Sequence, residues 1–261
     1  MDFIDSIILG VIEGITEFLP ISSTGHLMLA GSALGLPDGE FEKSFNIAIQ
    51  LGAILSVVFL YWRELVKIPI LKKLLAGFLP TATIGLALYK PVKHFLLGST
   101  EVVLSALFLG GVFLIIFELW RKKTVKENGA EEGSVGLDSI SYKQSAVIGL
   151  FQSIAIIPGV SRSASTIIGG LFLGLSRKTI VEFSFLLAVP TMMGATALDL
   201  YKSVSSFSSE GFVLLAVGFV VAFFTAIFSI KFLLAFTAKR TFISFGVYRI
   251  VLSVIFFLFF F

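Results

Sequence analysis

The fold turns on residues 13–26, Glu-Gly-Ile-Thr-Glu-Phe-Leu-Pro-Ile-Ser-Ser-Thr-Gly-His. An apolar run, Phe3–Leu19, leads into this stretch and stops at Pro20, and a second, His26–Leu36, leads out of it. Neither piece reaches the ~20 residues needed to cross a hydrocarbon core about 30 Å thick. A short helix, a polar break and another short helix form the pattern of a re-entrant hairpin. Such irregular backbone is tolerated at membrane depth only where protein or a water-filled cavity covers it. Ser145–Ile157, Pro158 and Ser163–Leu175 repeat the pattern in the second half of the chain.

Lipid must be the solvent around these hairpins. Of 261 residues, 56% are hydrophobic and 14% charged, and the mean hydropathy is +0.99; soluble domains carry about 25% charged residues. Long continuous apolar runs accompany the hairpins at Glu42–Trp62, Leu74–Tyr89, Val102–Trp120, Ile180–Leu200, Phe212–Ile230 and Phe242–Phe261. Continuous rather than alternating apolarity predicts helices and not a β-barrel. Between the two sets, Arg121–Lys143 carries Glu127, Glu131, Glu132 and Asp138 and reads as a solvated loop. The net charge of +3 has no nucleic-acid signature, and the absence of Cys excludes disulfides, thiolate nucleophiles and Cys–metal sites. Asp2 and Asp5 stand where a secretory signal would carry Lys or Arg, so no signal is expected.

The two halves look like copies. A shift of 139 places Gly10 on Gly149, Glu13 on Gln152 and Ser22 on Ser161. A shift of 140 places Glu42 on Glu182 and Ser44 on Ser184, and one of 141 places Gly77 on Gly218 and Lys90 on Lys231. We expect a single membrane domain, with one repeat over 1–120, a cytoplasmic linker over 121–143 and a second repeat over 144–261. The expected fold class is an all-α polytopic membrane protein, each half a re-entrant helical hairpin plus three transmembrane helices. An odd number of crossings per half predicts an inverted-topology repeat. The basic clusters Arg63–Lys73, Arg121–Lys126, Arg177–Lys178 and Lys239–Arg240 then share the cytoplasmic side, and Lys90 and Lys93 fall on the other. Both termini are expected outside, with the polar breaks of the two hairpins meeting near the midplane.

Glu13 and Glu17, at i and i+4, share one helix face, about 6 Å apart at Cβ. An acid at mid-bilayer costs about 2.5–3.5 kcal/mol on insertion scales. Two such charges side by side call for a cation or a shared proton; a helix with a wet face near the membrane surface is the alternative. Ser22, Ser23 and Thr24 precede a short helix whose N–H groups favour an anion, although capping alone accounts for the serines. His26 is available as acid, base or nucleophile. In the second break, Pro158-Gly-Val-Ser-Arg-Ser-Ala-Ser-Thr166, the hydroxyls of Ser161, Ser163 and Thr166 surround a helix start. Arg162 there opposes the helix dipole unless an anion sits against it. Its planar fork suits a phosphate; snorkelling, or a structural bridge to Glu13 or Glu17, is the alternative.

One break thus offers carboxylates and a base, the other an anion cradle. A cation and a phosphate ester satisfy both, which is the constellation of metal-assisted phosphoryl transfer. A substrate that reaches a site inside the bilayer is itself a lipid. The remaining polar features read as structural. Asn46 and Gln50 are supporting hydrogen bonders or interhelical contacts, His94 a solvated loop histidine, and Gly10–Gly14 and Gly170–Gly174 close helix contacts. Arg249 beside Tyr248 reads as an interfacial anchor.

The motifs at 13–26 and 158–166, with Phe-Ser-Phe-Leu-Leu-Ala-Val-Pro at 183–190, resemble the signatures of the undecaprenyl-diphosphate phosphatases, also called bacitracin-resistance proteins. The resemblance covers essentially the whole chain. It implies hydrolysis of undecaprenyl diphosphate to undecaprenyl phosphate and inorganic phosphate, recycling the carrier lipid of cell-wall synthesis. It also implies a divalent cation, Mg²⁺ or Ca²⁺, and a multi-pass protein of the bacterial inner membrane whose site opens to the outer face. By position, Glu13 and Glu17 match the family's acidic motif, Ser23 its nucleophile and His26 its histidine, and Ser161, Arg162 and Thr166 match its phosphate-binding motif. The catalytic set expected is Glu17, Ser23, His26 and Arg162, with Ser22, Ser161, Arg162, Ser163 and Thr166 on phosphate and Glu13 and Glu17 on the metal. Whether Ser23, assisted by His26, or His26 itself or water attacks phosphorus is left open. The partners expected are a polyprenyl diphosphate lipid and the bilayer, with no nucleic acid; a homodimer is admitted. The rival class is a transporter or flippase, which would bind the same headgroup without cleaving it.

Overall fold

A bilayer core has no water to satisfy backbone N–H and C=O groups, so an apolar chain within it folds into helices. The computed structural model of the chain describes residues 1–37, 39–96, 98–128, 136–203 and 209–260. The first half contains α1 (Phe3–Thr16), α2 (Ser23–Ala33), α3 (Glu40–Leu65), α4 (Ile68–Phe95) and α5 (Thr100–Asn128). The second contains α6 (Tyr142–Gln152), α7 (Arg162–Phe172), α8 (Arg177–Ser203), α9 (Ser209–Thr237) and α10 (Ile243–Phe260). Short 3-10 turns lie at Leu137–Ser139 and Ser153–Ile156, and no strand occurs among the described residues.

Among the described residues, α3, α4, α5, α8 and α9 each contain a stretch long and apolar enough to cross a membrane. The sixth apolar run becomes α10, a shorter helix of 18 residues, which at 1.5 Å per residue rises about 27 Å. Large apolar side chains such as Phe59, Leu86, Phe228 and Leu258 stand exposed on the outside of the bundle. The chain is a multi-pass membrane protein. Several helix ends differ from the sequence reading. α4 continues through Pro80 and Pro91 to Phe95 rather than stopping at Tyr89; proline is tolerated inside helices of a membrane bundle. The backbone of His94 is therefore in the last turn of α4 and not in a loop; its side chain lies outside the described residues.

The solvated-loop reading of Arg121–Lys143 also fails at both ends. Residues 121–128 continue α5, while Leu137 and Ile140 are buried in the main core. The buried ammonium of Lys73 needs acceptors and donates to Leu137 O (3.1 Å) and Asp138 O (2.9 Å). Gly136 N donates to Thr179 Oγ1 at 2.9 Å. Of its acidic residues, Glu131 and Glu132 lie outside the described residues, as does the side chain of Glu127. Nearby, buried Glu118 on α5 accepts from both terminal nitrogens of Arg177 at the start of α8, Nη2 at 2.7 Å, and from Phe242 N (3.2 Å) beside α10.

The helices pack reciprocally. α1 lies along α9 and α6 along α4, while α3 meets α8 and α5 meets α10. Exchanging the halves turns the first pair into the second and returns each of the last two to itself. The α1–α9 contact is close because Gly10 and Gly14 carry no side chain: a Cβ on Gly14 would lie 2.6 Å from Ala222 O and 2.8 Å from Ala226 N. Ser6 Oγ and Ser229 Oγ lock the pair by donating to Leu214 O (2.6 Å) and Ile15 O (2.7 Å). Gly170 packs against Ile180 as expected, but Gly174 meets nothing within 4 Å and has φ +78°, so it serves a turn after α7 rather than a helix contact. Gly14→Val should cost about 1–3 kcal/mol through overpacking, read as a lower melting temperature of the detergent-solubilised protein. An unchanged melting temperature would contradict this packing.

Candidate active site

The first break starts where α1 runs out. Glu17 caps the helix and Pro20 cannot extend it. Ser22 then turns the chain at φ +70°, a left-handed conformation uncommon outside glycine, and its Oγ caps α2 by accepting from Gly25 N at 3.4 Å. In the second break α6 gives way to the 3-10 turn and Pro158. Gly159 follows at φ +88°, where a Cβ would lie 2.6 Å from Val103 O. Ser161 Oγ caps α7 by accepting from Ala164 N at 3.1 Å.

The two breaks meet. Ser163 Oγ donates to Phe18 O at 2.7 Å. Arg162 Nη2 donates to Glu17 Oε1 at 2.7 Å, and the other oxygen of that carboxylate accepts from Ser23 Oγ. Arg162 Nη1 donates to Ser184 O (3.0 Å), and its Cζ lies 5.9 Å over the Phe18 ring. The Nε of Arg162 is buried without a partner. Thr166 Oγ1 bonds Ser184 Oγ at 2.6 Å and donates to Arg162 O at 3.1 Å. A single carboxylate, Glu17, thus joins a hydroxyl of one break to the guanidinium of the other, inside an apolar bundle.

With the two breaks in place, the whole chain can be set beside known proteins. The family model of the bacitracin resistance protein BacA matches residues 6–255. The chain belongs to this family. The undecaprenyl-diphosphatase of Sulfurihydrogenibium sp. is 47% identical to it over 259 residues, covering 99% of each chain. That of Wolinella succinogenes is 50% identical over 258 residues, 98% of this chain and 97% of its own. That of Aquifex aeolicus is 46% identical over 256 residues, with the same coverage of 98% and 97%.

Within this BacA-family site, Glu13 is 0% exposed and neither of its oxygens has a hydrogen-bond partner. A buried carboxylate without donors is costly, and two free oxygens one turn from Glu17 suit a hard cation. Among the described residues no group of three or more His, Asp or Glu gathers. Glu13 and Glu17 would therefore be the protein's acidic ligands, as is common for Mg²⁺, which takes one or two carboxylates together with water and substrate phosphate. Gln152, the repeat mate of Glu13, instead donates to Thr81 Oγ1 (2.8 Å) and Thr191 Oγ1 (3.0 Å), so this position is structural in the second hairpin. Asn46, expected to hydrogen-bond, has its Oδ1 buried without a partner.

The ring nitrogens of His26 bond groups other than Ser23. Its Nδ1 lies 2.7 Å from Ser22 O, four residues back, and its Nε2 lies 2.8 Å from Tyr248 Oη. A carbonyl only accepts, so Nδ1 carries a proton, and in the neutral ring Nε2 accepts from the phenol. The group on the Ser23 hydroxyl is Glu17, not the expected His26. Tyr248, Ser184 and Arg249 are missed by the sequence reading. Ser184 is foreshadowed by its repeat mate Ser44 and by its place in the 183–190 motif, neither of which gives it a role. Arg249 is 1% exposed and bonded throughout to backbone carbonyls, so it is a core residue and not an interfacial anchor. Arg162→Lys keeps the charge but loses the fork that reaches Glu17 and Ser184 O together; phosphate release should fall roughly 100-fold. A loss under about threefold, well below the range for one preorganised donor, would contradict the placing of Arg162 in the site.

Proposed function

We propose that this chain is an undecaprenyl-diphosphatase of the bacterial inner membrane. It hydrolyses undecaprenyl diphosphate to undecaprenyl phosphate and inorganic phosphate, recycling the carrier lipid for cell-wall synthesis. The observation that carries the reading is the Glu17 carboxylate, bonded at once to the Ser23 hydroxyl and the Arg162 guanidinium. Relatives 46–50% identical over nearly the whole chain bear that enzyme's name.

In the first step Ser23 Oγ attacks the terminal phosphorus and its proton passes to Glu17 Oε2. The bond from that phosphorus to the bridging oxygen breaks, its electrons stay on the oxygen, and undecaprenyl phosphate leaves. Water then attacks the phosphoserine, the bond from phosphorus to Oγ breaks, Ser23 Oγ takes its proton back from Glu17, and inorganic phosphate is released. His26, one turn along α2 from Ser23, takes the proton of that water at Nε2 once the Tyr248 hydroxyl has turned away from that nitrogen, and then gives it up to solvent. Arg162 exchanges Glu17 for phosphate oxygens as the substrate arrives, and its unpaired Nε is a donor already free for them. Ser22 and Ser161 shape the first turns of α2 and α7, whose free N–H groups face anionic oxygen, while Ser163 and Thr166 hold the cradle. A divalent cation, Mg²⁺ or Ca²⁺, held by Glu13 and Glu17 would supply charge neutralisation to the diphosphate when bound.

The same reading covers the architecture: one membrane domain with repeats over 1–120 and 144–261, related by inverted topology, and a linker over 121–143. Four observations support it. α1, α2, α6 and α7, at 14, 11, 11 and 11 residues, are each too short to span. The hairpin helices pack in pairs, α1 on α2 and α6 on α7, and the halves exchange partners reciprocally. A chain of bonds through Lys73, Thr179, Arg177, Glu118 and Phe242 gathers the basic clusters at one face. That face is the cytoplasmic one, and the site opens to the other side.

The test is acid-quenched turnover of undecaprenyl diphosphate by purified protein in detergent, with Mg²⁺ or Ca²⁺ and with EDTA. We expect metal-dependent phosphate release with phosphate trapped on Ser23, and neither in Ser23→Ala. Release without trapped phosphate would move the attack to water. No release from folded wild type would favour a transporter of the same lipid.

A further inference from the structure

Arg249 makes four hydrogen bonds, all to backbone carbonyls. Its Nε donates to Leu107 O (3.3 Å) and its Nη2 to Ala106 O (3.0 Å), both on α5. Its Nη1 donates to Pro20 O (3.4 Å) in the first break and its Nη2 also to Gly159 O (3.2 Å) in the second. Those last two acceptors are equivalent. Pro20 lies two residues before Ser22, the cap of α2, and Gly159 two residues before Ser161, the cap of α7. The repeat shift of 139 places one on the other. One guanidinium thus spans the matching carbonyls of both halves.

The surroundings make room for this. Gly110 and Gly111 stand where α5 faces Arg249: a Cβ on Gly110 would lie 2.8 Å from Arg249 Cζ, and one on Gly111 3.1 Å from Arg249 Cβ. The preceding residue of α10, Tyr248, puts its hydroxyl on His26 of the first break. A charged group buried in a membrane bundle is costly and persists where it has a task, and the hydrogen-bond partners of Arg249 are backbone carbonyls, with no carboxylate to repay that cost. Two otherwise irregular backbones must hold Ser23 and Arg162 in register, and a misplacement of about 1 Å costs on the order of 100-fold in rate.

We infer that Arg249 is a positioning residue for the phosphatase reaction: it clamps Pro20 O and Gly159 O and so sets the distance between the break that carries Ser23 and the break that carries Arg162. It touches neither phosphate nor nucleophile. This rests on the proposed phosphatase reading, so the test has one arm that needs turnover and one that does not.

The chain has no native Cys, so Thr24→Cys on the first break and Ile154→Cys on the second take spin labels without background. Label-to-label distances by pulsed electron paramagnetic resonance are compared between Arg249 and Arg249→Met. In unlabelled protein, kcat and KM for undecaprenyl diphosphate are compared among wild type, Arg249→Met and Arg249→Lys. We expect a narrow distance distribution that broadens or shifts in Arg249→Met. We also expect a kcat lower on the order of 100-fold with KM within about threefold, and Arg249→Lys intermediate. A residue that only stabilises the fold would lower the melting temperature and leave kcat per folded molecule unchanged, and that outcome overturns the inference. So does an unchanged distance distribution, whatever happens to kcat. If Arg249→Met does not survive extraction, Gly110→Ala, which displaces the guanidinium and keeps the charge, carries both arms. Absence of phosphate release from wild type would count against the phosphatase reading alone, and the distances would still decide the clamp.

Discussion

Everything in this protein depends on one ion pair placed where charge is least welcome. Glu17 and Arg162 come from different halves of the chain and meet between apolar helices. A buried pair of this kind is weak evidence for stability, because desolvation consumes most of its attraction. Removing one partner is another matter, since it strands the other charge. The pair therefore specifies which surfaces of the two hairpins face each other. It also leaves the Nε of the Arg162 guanidinium buried without a partner.

The long helices supply the rigidity that such a site requires. α1 is pressed onto α9 at Gly10 and Gly14 and pinned by serine-to-carbonyl bonds, so the carboxylates of Glu13 and Glu17 project from a fixed rod. On the other side Thr166 and Ser184 fasten α7 to α8, so the start of α7 does not drift from Arg162's second anchor. Irregular backbone survives at depth here because each break borrows its bonds from elsewhere: Ser163 to Phe18 O, and Arg249 to Pro20 O and Gly159 O. Placement and charge come first in such a site, as is general for phosphoryl transfer.

Much of this is legible in the sequence. Pro20 and Pro158 interrupt apolar runs, and isolated charges in such runs have few physical excuses, so the breaks and Glu13, Glu17 and Arg162 stand out. What is not legible is set by tertiary approach. The ring of His26 is taken by Ser22 O and by Tyr248, 222 residues away, and nothing local foretells the second contact. Arg249 looks like any arginine near the start of an apolar run until α5 comes within reach through Gly110 and Gly111. The ends of α4 and α5 fail for different reasons: Pro91 is a stop signal in water but is carried inside α4, and the charges after Trp120 end an apolar span without ending the helix, since Arg, Lys and Glu are good helix formers. Leu137 and Ile140, two apolar residues in a polar stretch, are too sparse to announce a docked segment.

The central claim is that the two breaks act as one site through the Glu17–Arg162 contact. A double-mutant cycle on turnover of undecaprenyl diphosphate, with Glu17→Asp, Arg162→Lys and the pair, tests it most directly. Groups that act as a unit are strongly non-additive, so the double variant should be little slower than the slower single one. Rate losses that simply multiply would mean that the two residues work independently and that their contact has no part in the reaction.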